Sequence, residues 1–426
     1  MKKILSVAIA FASFAGFAGE ASIENVIVRQ RWPWSKVVDI DFVVTGEATG
    51  VKFIAKYDGV EPFVLLEKDL TGDFCDVLEP GLHHVTWDPG KAGLSETELK
   101  NFTISVEPDD TDRTYLILNL NDGSYRYAST EPEGGWLLAD PANYQTNIVF
   151  RRVPKGTRYL GLTEKFDKKL KAGKYADKHE VTMLSDYYLG VFMTTEAQRK
   201  YIDAKAKGEN KDVSNLSPSY EGRTYHQLRG SVEDGIDWPG TKHGVKPGTV
   251  IDNLRTIVKT TFPSEWIVDL PTSSQWEYAA KGTNSFDQLL SVGGKESDLD
   301  NEDFLENFTN LVDKVAIWFY NVGEYNEDRT TIGRKLPNGW GFYDMIGLGF
   351  EWCNDWNSDS VEYFSGINPV GPSSGTKRIR RSVYTYKPSG STMVYYTTAY
   401  VGEYDPLENK NCGYRLCINL KNMFRK

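Results

Sequence analysis

The residues with the widest chemical range in this chain are four cysteines, Cys75, Cys353, Cys412 and Cys417. Cys412 and Cys417 stand in a C-x-x-x-x-C pattern, a spacing at which two thiols are weighed as a pair. Residues five apart in a regular strand point to opposite faces, so sharing one metal needs a bulge, which Gly413 could supply. The plainer reading is one bridging cysteine and one buried core thiol. Asp344 and Glu351 form the kind of carboxylate pair that hydrolases use as acid and base. They sit among aromatic residues, where a buried, hydrogen-bonded carboxylate is the simpler role. The histidines are His83, His84, His179, His226 and His243. His83 and His84 fall in one predicted strand, so their rings face apart. No G-x-S-x-G elbow, H-E-x-x-H, P-loop or dinucleotide fingerprint occurs.

The elements that must position these residues are irregular. Pro337–Trp356 interleaves tryptophan, phenylalanine and tyrosine with glycines and with Asp344, Glu351 and Asp355. It has neither a helical period nor a clean strand alternation, and reads as a compact core segment. Residues 22–108 instead alternate polar and apolar over short runs such as Val37–Val44 and Val51–Ala55, with turns at Thr45-Gly46 and Asp58-Gly59. That spacing predicts an antiparallel β-sandwich. Residues 109–145 read as a loop-rich linker that packs on one neighbour, with one strand, Tyr115–Leu120, and the remainder, 146–426, forms the main domain. Two helices are legible there: Thr195 to Lys207, and Ser273–Lys281 behind Pro271-Thr272.

Lys2 and Lys3 precede an apolar run from Ile4 to Ala18, followed by small residues. This pattern predicts a secretory signal over residues 1–21, cleaved after Ala18 or Ala21, and so a secreted or periplasmic protein. The run is too short for a membrane span, and none of the later ones is long enough. With 59 acids against 49 bases spread along the chain, no basic patch suits nucleic acid.

The block Pro337–Trp356 resembles the N-x-W-G-L-Y-D-M-x-G-N-V-W-E-W-C-x-D-W block of the formylglycine-generating enzymes, the sulfatase-modifying factors. Val149–Thr157, His179–Thr182, Tyr188–Gln198, Leu270–Ala280, Asn368–Pro372 and Asn411–Arg415 resemble other motifs of that family, in its order. Gly81–Asp88 in turn looks like a strand of bacterial immunoglobulin-like or fibronectin-like modules, which act as spacers or docking units. The resemblance implies a low-regularity α+β fold related to C-type lectins, preceded by an all-β sandwich. It also implies a disulfide from Cys353 to Cys412 or Cys417.

In that family a C-x-x-x-x-C pair binds copper shortly after an R-G-G-S-W strand. The matching strand here is Arg378–Tyr384, and Thr385–Tyr404 contains no cysteine. Leu348 stands where the family places a calcium-binding asparagine, which leaves Glu351 as the candidate calcium ligand beside backbone carbonyls. The histidine-rich iron set of the related sulfoxide synthases is missing. The resemblance therefore implies two alternatives. One is an oxidase that converts a sulfatase cysteine to formylglycine with copper. The other, expected here, is a cofactor-free module that binds an extended peptide, a protein or a surface glycan. By motif position its groove would use Trp340, Arg378, Arg380, Tyr384 and Tyr386.

Overall fold

A computed structural model describes residues 20–57, 60–94, 101–170, 177–231, 238–239, 243–285, 287–318, 321, 330–383, 397–407, 412–421 and 423. The chain divides into two units between Asp110 and Thr111.

Among the described residues the first unit has seven strands: β1 (Ser22–Gln30), β2 (Val38–Thr45), β3 (Gly50–Tyr57), β4 (Val60–Val64), β5 (Leu70–Gly72), β6 (Gly81–Trp87) and β7 (Thr103–Asp109). They form two antiparallel sheets, ordered β1-β2-β6-β5 and β4-β3-β7. The alternation read in the sequence becomes the inward row of each strand. Val38, Ile40, Phe42 and Val44 of β2 meet Val51, Phe53 and Ala55 of β3 in one core, with Val85 and Trp87 of β6. Phe42 packs edge-on against Phe53 at 5.8 Å. His83 and His84 do part: His83 donates to the Glu79 carbonyl at 2.8 Å, whereas the Nδ1 atom of His84 lies 2.7 Å from Asp41. This is the predicted β-sandwich.

In the second unit the strands are β8 (Tyr115–Asn119), β9 (Tyr125–Ala128), β10 (Asn147–Val153), β11 (Gly156–Leu160), β12 (His179–Met183), β13 (Tyr187–Gly190), β14 (Trp266–Asp269), β15 (Gln288–Leu290), β16 (Gly293–Lys295), β17 (Phe350–Trp356), β18 (Gly366–Ile367), β19 (Arg378–Arg381), β20 (Val401–Tyr404), β21 (Cys412–Gly413) and β22 (Cys417–Leu420). Between them run α1 (Trp136–Ala139), α2 (Ala142–Gln145), α3 (Glu164–Leu170), α4 (Glu196–Lys205), α5 (Tyr225–Leu228), α6 (Val250–Val258), α7 (Ser273–Lys281) and α8 (Phe304–Val315). The main sheets are six-stranded, β14-β22-β13-β10-β8-β9, and four-stranded, β20-β19-β17-β21. Short strands and many loops around several helices make the expected α+β fold.

Both expected helices form, each behind a threonine capping box: Thr195 with Gln198, and Thr272 with Gln275. The sequence reading missed α6 and α8, although Phe304, Phe308, Val312 and Val315 of α8 lie on one buried stripe at helical spacing. The stretch read as a linker carries more than the one strand expected. From Thr111 it belongs to the larger unit, where β8 pairs with β10 inside the six-stranded sheet and β9 forms its edge. Leu116 and Leu118 are fully buried there, and that burial, rather than the flanking polar turns, decides the segment's fate.

Candidate functional site

The aromatic–glycine block ends in β17, whose residues Phe350–Trp356 are all buried. Because β17 is a strand, it sorts its chemistry onto two faces. Glu351, Cys353 and Asp355 take one, and Phe350, Trp352, Asn354 and Trp356 take the other.

Arg415 neutralises Glu351. Its Nε and Nη2 atoms reach the carboxylate at 2.8–3.0 Å, and both side chains are fully buried. The Trp276 indole donates a further hydrogen bond to Glu351 at 2.9 Å. Arg415 also donates to the carbonyls of Gly190, Val191 and Tyr343. The pair ties α7, β13, β17 and the 343–350 turn to one charge-assisted knot. Two other carboxyls lack such pairing. Asp344 accepts from Gly333 N at 2.7 Å through one oxygen while the other has no hydrogen-bond partner, and burial pushes its pKa up to about 6. Asp355 accepts from Ser273 N, its other oxygen is likewise unpartnered, and burial pushes it to about 7 despite Arg381 and Arg378 nearby.

Against β17 lies β19, with Arg378 opposite Trp356, Arg380 opposite Trp352 and Arg381 opposite Glu351. Arg381 points toward α7, donating to the Ser273 hydroxyl at 2.9 Å and pairing with Glu277 at 3.0 Å. Arg378 and Arg380 share the other face. The Arg378 guanidinium lies 3.3 Å from the Trp356 ring centroid and 4.6 Å from that of Tyr225, and it donates to the Asn354 carbonyl. Burial lowers its pKa to about 10. Arg380 is held between Phe350 at 3.5 Å and Tyr404 at 4.1 Å. Of the five groove candidates, the structure thus brings Arg378 and Arg380 together, both buried. Trp340 is elsewhere: it is partly buried beside Tyr278, with Arg158 over its ring at 5.0 Å. Tyr384 and Tyr386 fall outside the described residues.

The disulfide that the resemblance implies is not formed here, where Cys353, Cys412 and Cys417 stand as thiols. β21 runs parallel to β17 with Cys412 beside Phe350. Cys353 is therefore three positions farther on and on the opposite face, about 10 Å along the strand, beyond disulfide reach. Cys417 lies in a different sheet, paired with Leu189 and Asp269. Cys412 and Cys417 stand in different sheets, and burial pushes both thiols well above their ordinary pKa. With no cysteine in residues 385–404, the donor set does not fit copper at the family position or at this one.

At the position where the resemblance implies a calcium-binding asparagine, Leu348 has no side-chain oxygen to offer. Leu348 is fully buried at a φ of 61°, a left-handed conformation that asparagine tolerates and leucine resists. Its side chain lies in an apolar cluster with Tyr220 and Ile317, and the Glu351 oxygens face Arg415 and Trp276. Among the described residues no group of three or more His, Cys, Asp or Glu could hold a metal ion. The sequence reading also passed over a cavity of about 480 Å³ lined by Glu131, Trp136, Tyr144, Phe192 and Tyr343. Its one sequence signal is Gly134-Gly135-Trp136 within the supposed linker.

A mixed fold of short strands, centred on a buried Glu–Arg knot inside an aromatic–glycine block, is the scaffold that the motifs pointed to. The family model described as a sulfatase-modifying factor enzyme 1-like domain matches residues 139–419, 281 of the 426 residues, and the chain belongs to that family. Among curated proteins it is similar to the chaperone protein LppX of Paenibacillus barcinonensis, 27% identical over 45% of this chain and 69% of that one. It is also similar to the formylglycine-generating enzyme of Bos taurus, 30% identical over 26% of this chain, a stretch spanning 28% of the bovine protein. Among solved structures, the Treponema denticola variable protein 1 aligns with a TM-score of 0.41 and 18% identity, covering 64% of this chain and 95% of that one. PvdO from Pseudomonas aeruginosa aligns at 0.42 and 15%, with the same coverage.

Proposed function

We propose that this chain is an exported, non-catalytic binding module on the formylglycine-generating-enzyme scaffold, capturing an extended peptide, a protein or a surface glycan. The observation that carries the reading is the state of the cysteines. The family position has none, and Cys353, Cys412 and Cys417 are buried, with burial raising each thiol well above its ordinary pKa. Thiolate copper chemistry needs accessible, paired thiolates. Export rests on the leader pattern of residues 1–21; among the described residues no helix is long and apolar enough to cross a membrane. LppX, which bears the name of a chaperone protein, lends weight to a protein ligand.

The competing reading is an active oxidase, favoured by the family motifs and by the similarity to formylglycine-generating enzymes. The experiment that separates them titrates the purified protein with Cu(I) and follows dioxygen uptake with a C-x-P-x-R peptide. We expect no stoichiometric copper and no aldehyde. One equivalent of copper lost on Cys412→Ser, with aldehyde formed, would establish the oxidase instead.

A further inference from the structure

The cavity of about 480 Å³ is built partly from Glu131 to Leu138, residues that precede the family match. It shares no lining residue with the arginine–aromatic face of β17 and β19. Trp136, Tyr144, Phe192 and Tyr343 supply aromatic walls, with Phe192 stacked on Tyr343 at 4.9 Å. Leu138 stands at the rim, 85% exposed. This volume and lining suit a mostly apolar group held by a few polar contacts.

One polar feature defines what such a group must carry. Trp136 is 3% exposed and contributes ring surface to the wall. Glu131 is the single acid of the lining. It receives the Tyr343 hydroxyl at 2.9 Å and Trp136 N at 3.2 Å, which fixes its carboxylate in place. Exposed Glu133 and Asp140 flank the lining beside Gly134 and Pro141, against one lining base, Arg334. The rim therefore favours a basic ligand. An exposed Leu138 at an open mouth suits a segment of a longer chain better than an enclosed metabolite.

We propose that this cavity takes an apolar or aromatic side chain from a polypeptide segment, with a lysine or arginine of the same segment paired to Glu131. The site goes beyond the copper question: metal content and turnover bear on the family position, whereas binding at Glu131 bears on this cavity alone.

The test is fluorescence anisotropy with the full chain and a fluorescein-labelled hexapeptide containing Lys-Phe-Lys, beside one containing Glu-Phe-Glu. Saturable binding of the basic peptide is expected, weakened about tenfold by Glu131→Gln, because a charged partner becomes a neutral one. Leu138→Ala, at an exposed position that folding does not depend on, is expected to weaken it a further few-fold. Melting curves matching wild type confirm that both variants fold. Equal binding of the acidic peptide, no saturable binding of the basic one, or affinity unchanged in both variants overturns the proposal. Displacement of the basic peptide by maltotriose at low millimolar concentration also overturns it, since the cavity would then be a sugar site.

Discussion

Replacing Arg415 by methionine would leave Glu351 buried with the Trp276 indole as its remaining contact. Breaking a buried pair from one side costs about 3–5 kcal/mol, so Arg415→Met is expected to lower the denaturation midpoint sharply and to abolish folding if the margin is thin. A chemical-denaturant titration reads this directly. The cysteines make the opposite prediction. Cys353, Cys412 and Cys417 are buried thiols raised well above their usual pKa. They are expected to ignore a thiol reagent in the native protein and to react once it is unfolded, all four then appearing as alkylated by mass. A bridged pair, two mass units lighter and unalkylated, would contradict the geometry of β17 and β21. Residue identity was legible in the sequence at this scale. Which residues met was not: Cys412 and Cys417 are close in the chain but lie in different sheets.

Among the elements, α7 shows why some segments were readable. Thr272 caps it by accepting from Gln275 N at 3.1 Å, and Gln275 returns the bond to Thr272 N at 2.9 Å. That signature is local, so the helix was visible without any tertiary knowledge. Thr272→Ala is expected to cost about 1 kcal/mol, to the upper end for a fully buried cap, measured as a shift in melting temperature. α8 carried an equally regular stripe but no side-chain cap bond, and its period went unread among loops. β8 was anticipated as a strand, yet its place in a six-stranded sheet was hidden. Its partner β10 lies some thirty residues on, and its flanks are rich in turn-forming residues.

On the scale of the whole molecule, three buried carboxyls contribute to the response to pH. Burial alone would raise Asp269, but Arg229 and Arg255 bring it down to about 2. Its support is complete above the unfolded value near 4 and is lost as pH falls toward 2. Asp344 and Asp355 are raised to about 6 and about 7. Their sign is reversed: they favour the folded state below about pH 4 and lose that support as pH rises through 6 and 7. The contribution of these three groups to stability is therefore greatest near pH 4 and falls toward pH 8. Thermal melts from pH 3 to 8 should show the decline, and the double variant Asp344→Asn, Asp355→Asn should flatten it above pH 4. An unchanged slope in that variant would mean that other groups control the curve.

The sequence by itself determined the scaffold, because what specifies it is local or patterned. Strand alternation in residues 22–108, threonine caps ahead of α4 and α7, and an aromatic–glycine run that a single fold can bury all survive as text. It also determined that the family's copper cysteines are missing, since an absent side chain needs no coordinates to be noticed. The tertiary structure alone decided the partnerships. Arg378 is buried against Trp356 and Trp340 stands apart from it, the cysteines stay unbridged, and Glu131, Trp136 and Tyr343 from distant segments line one cavity. Pairings across tens to hundreds of residues depend on how sheets register and stack, and no short-range pattern in the chain encodes that geometry.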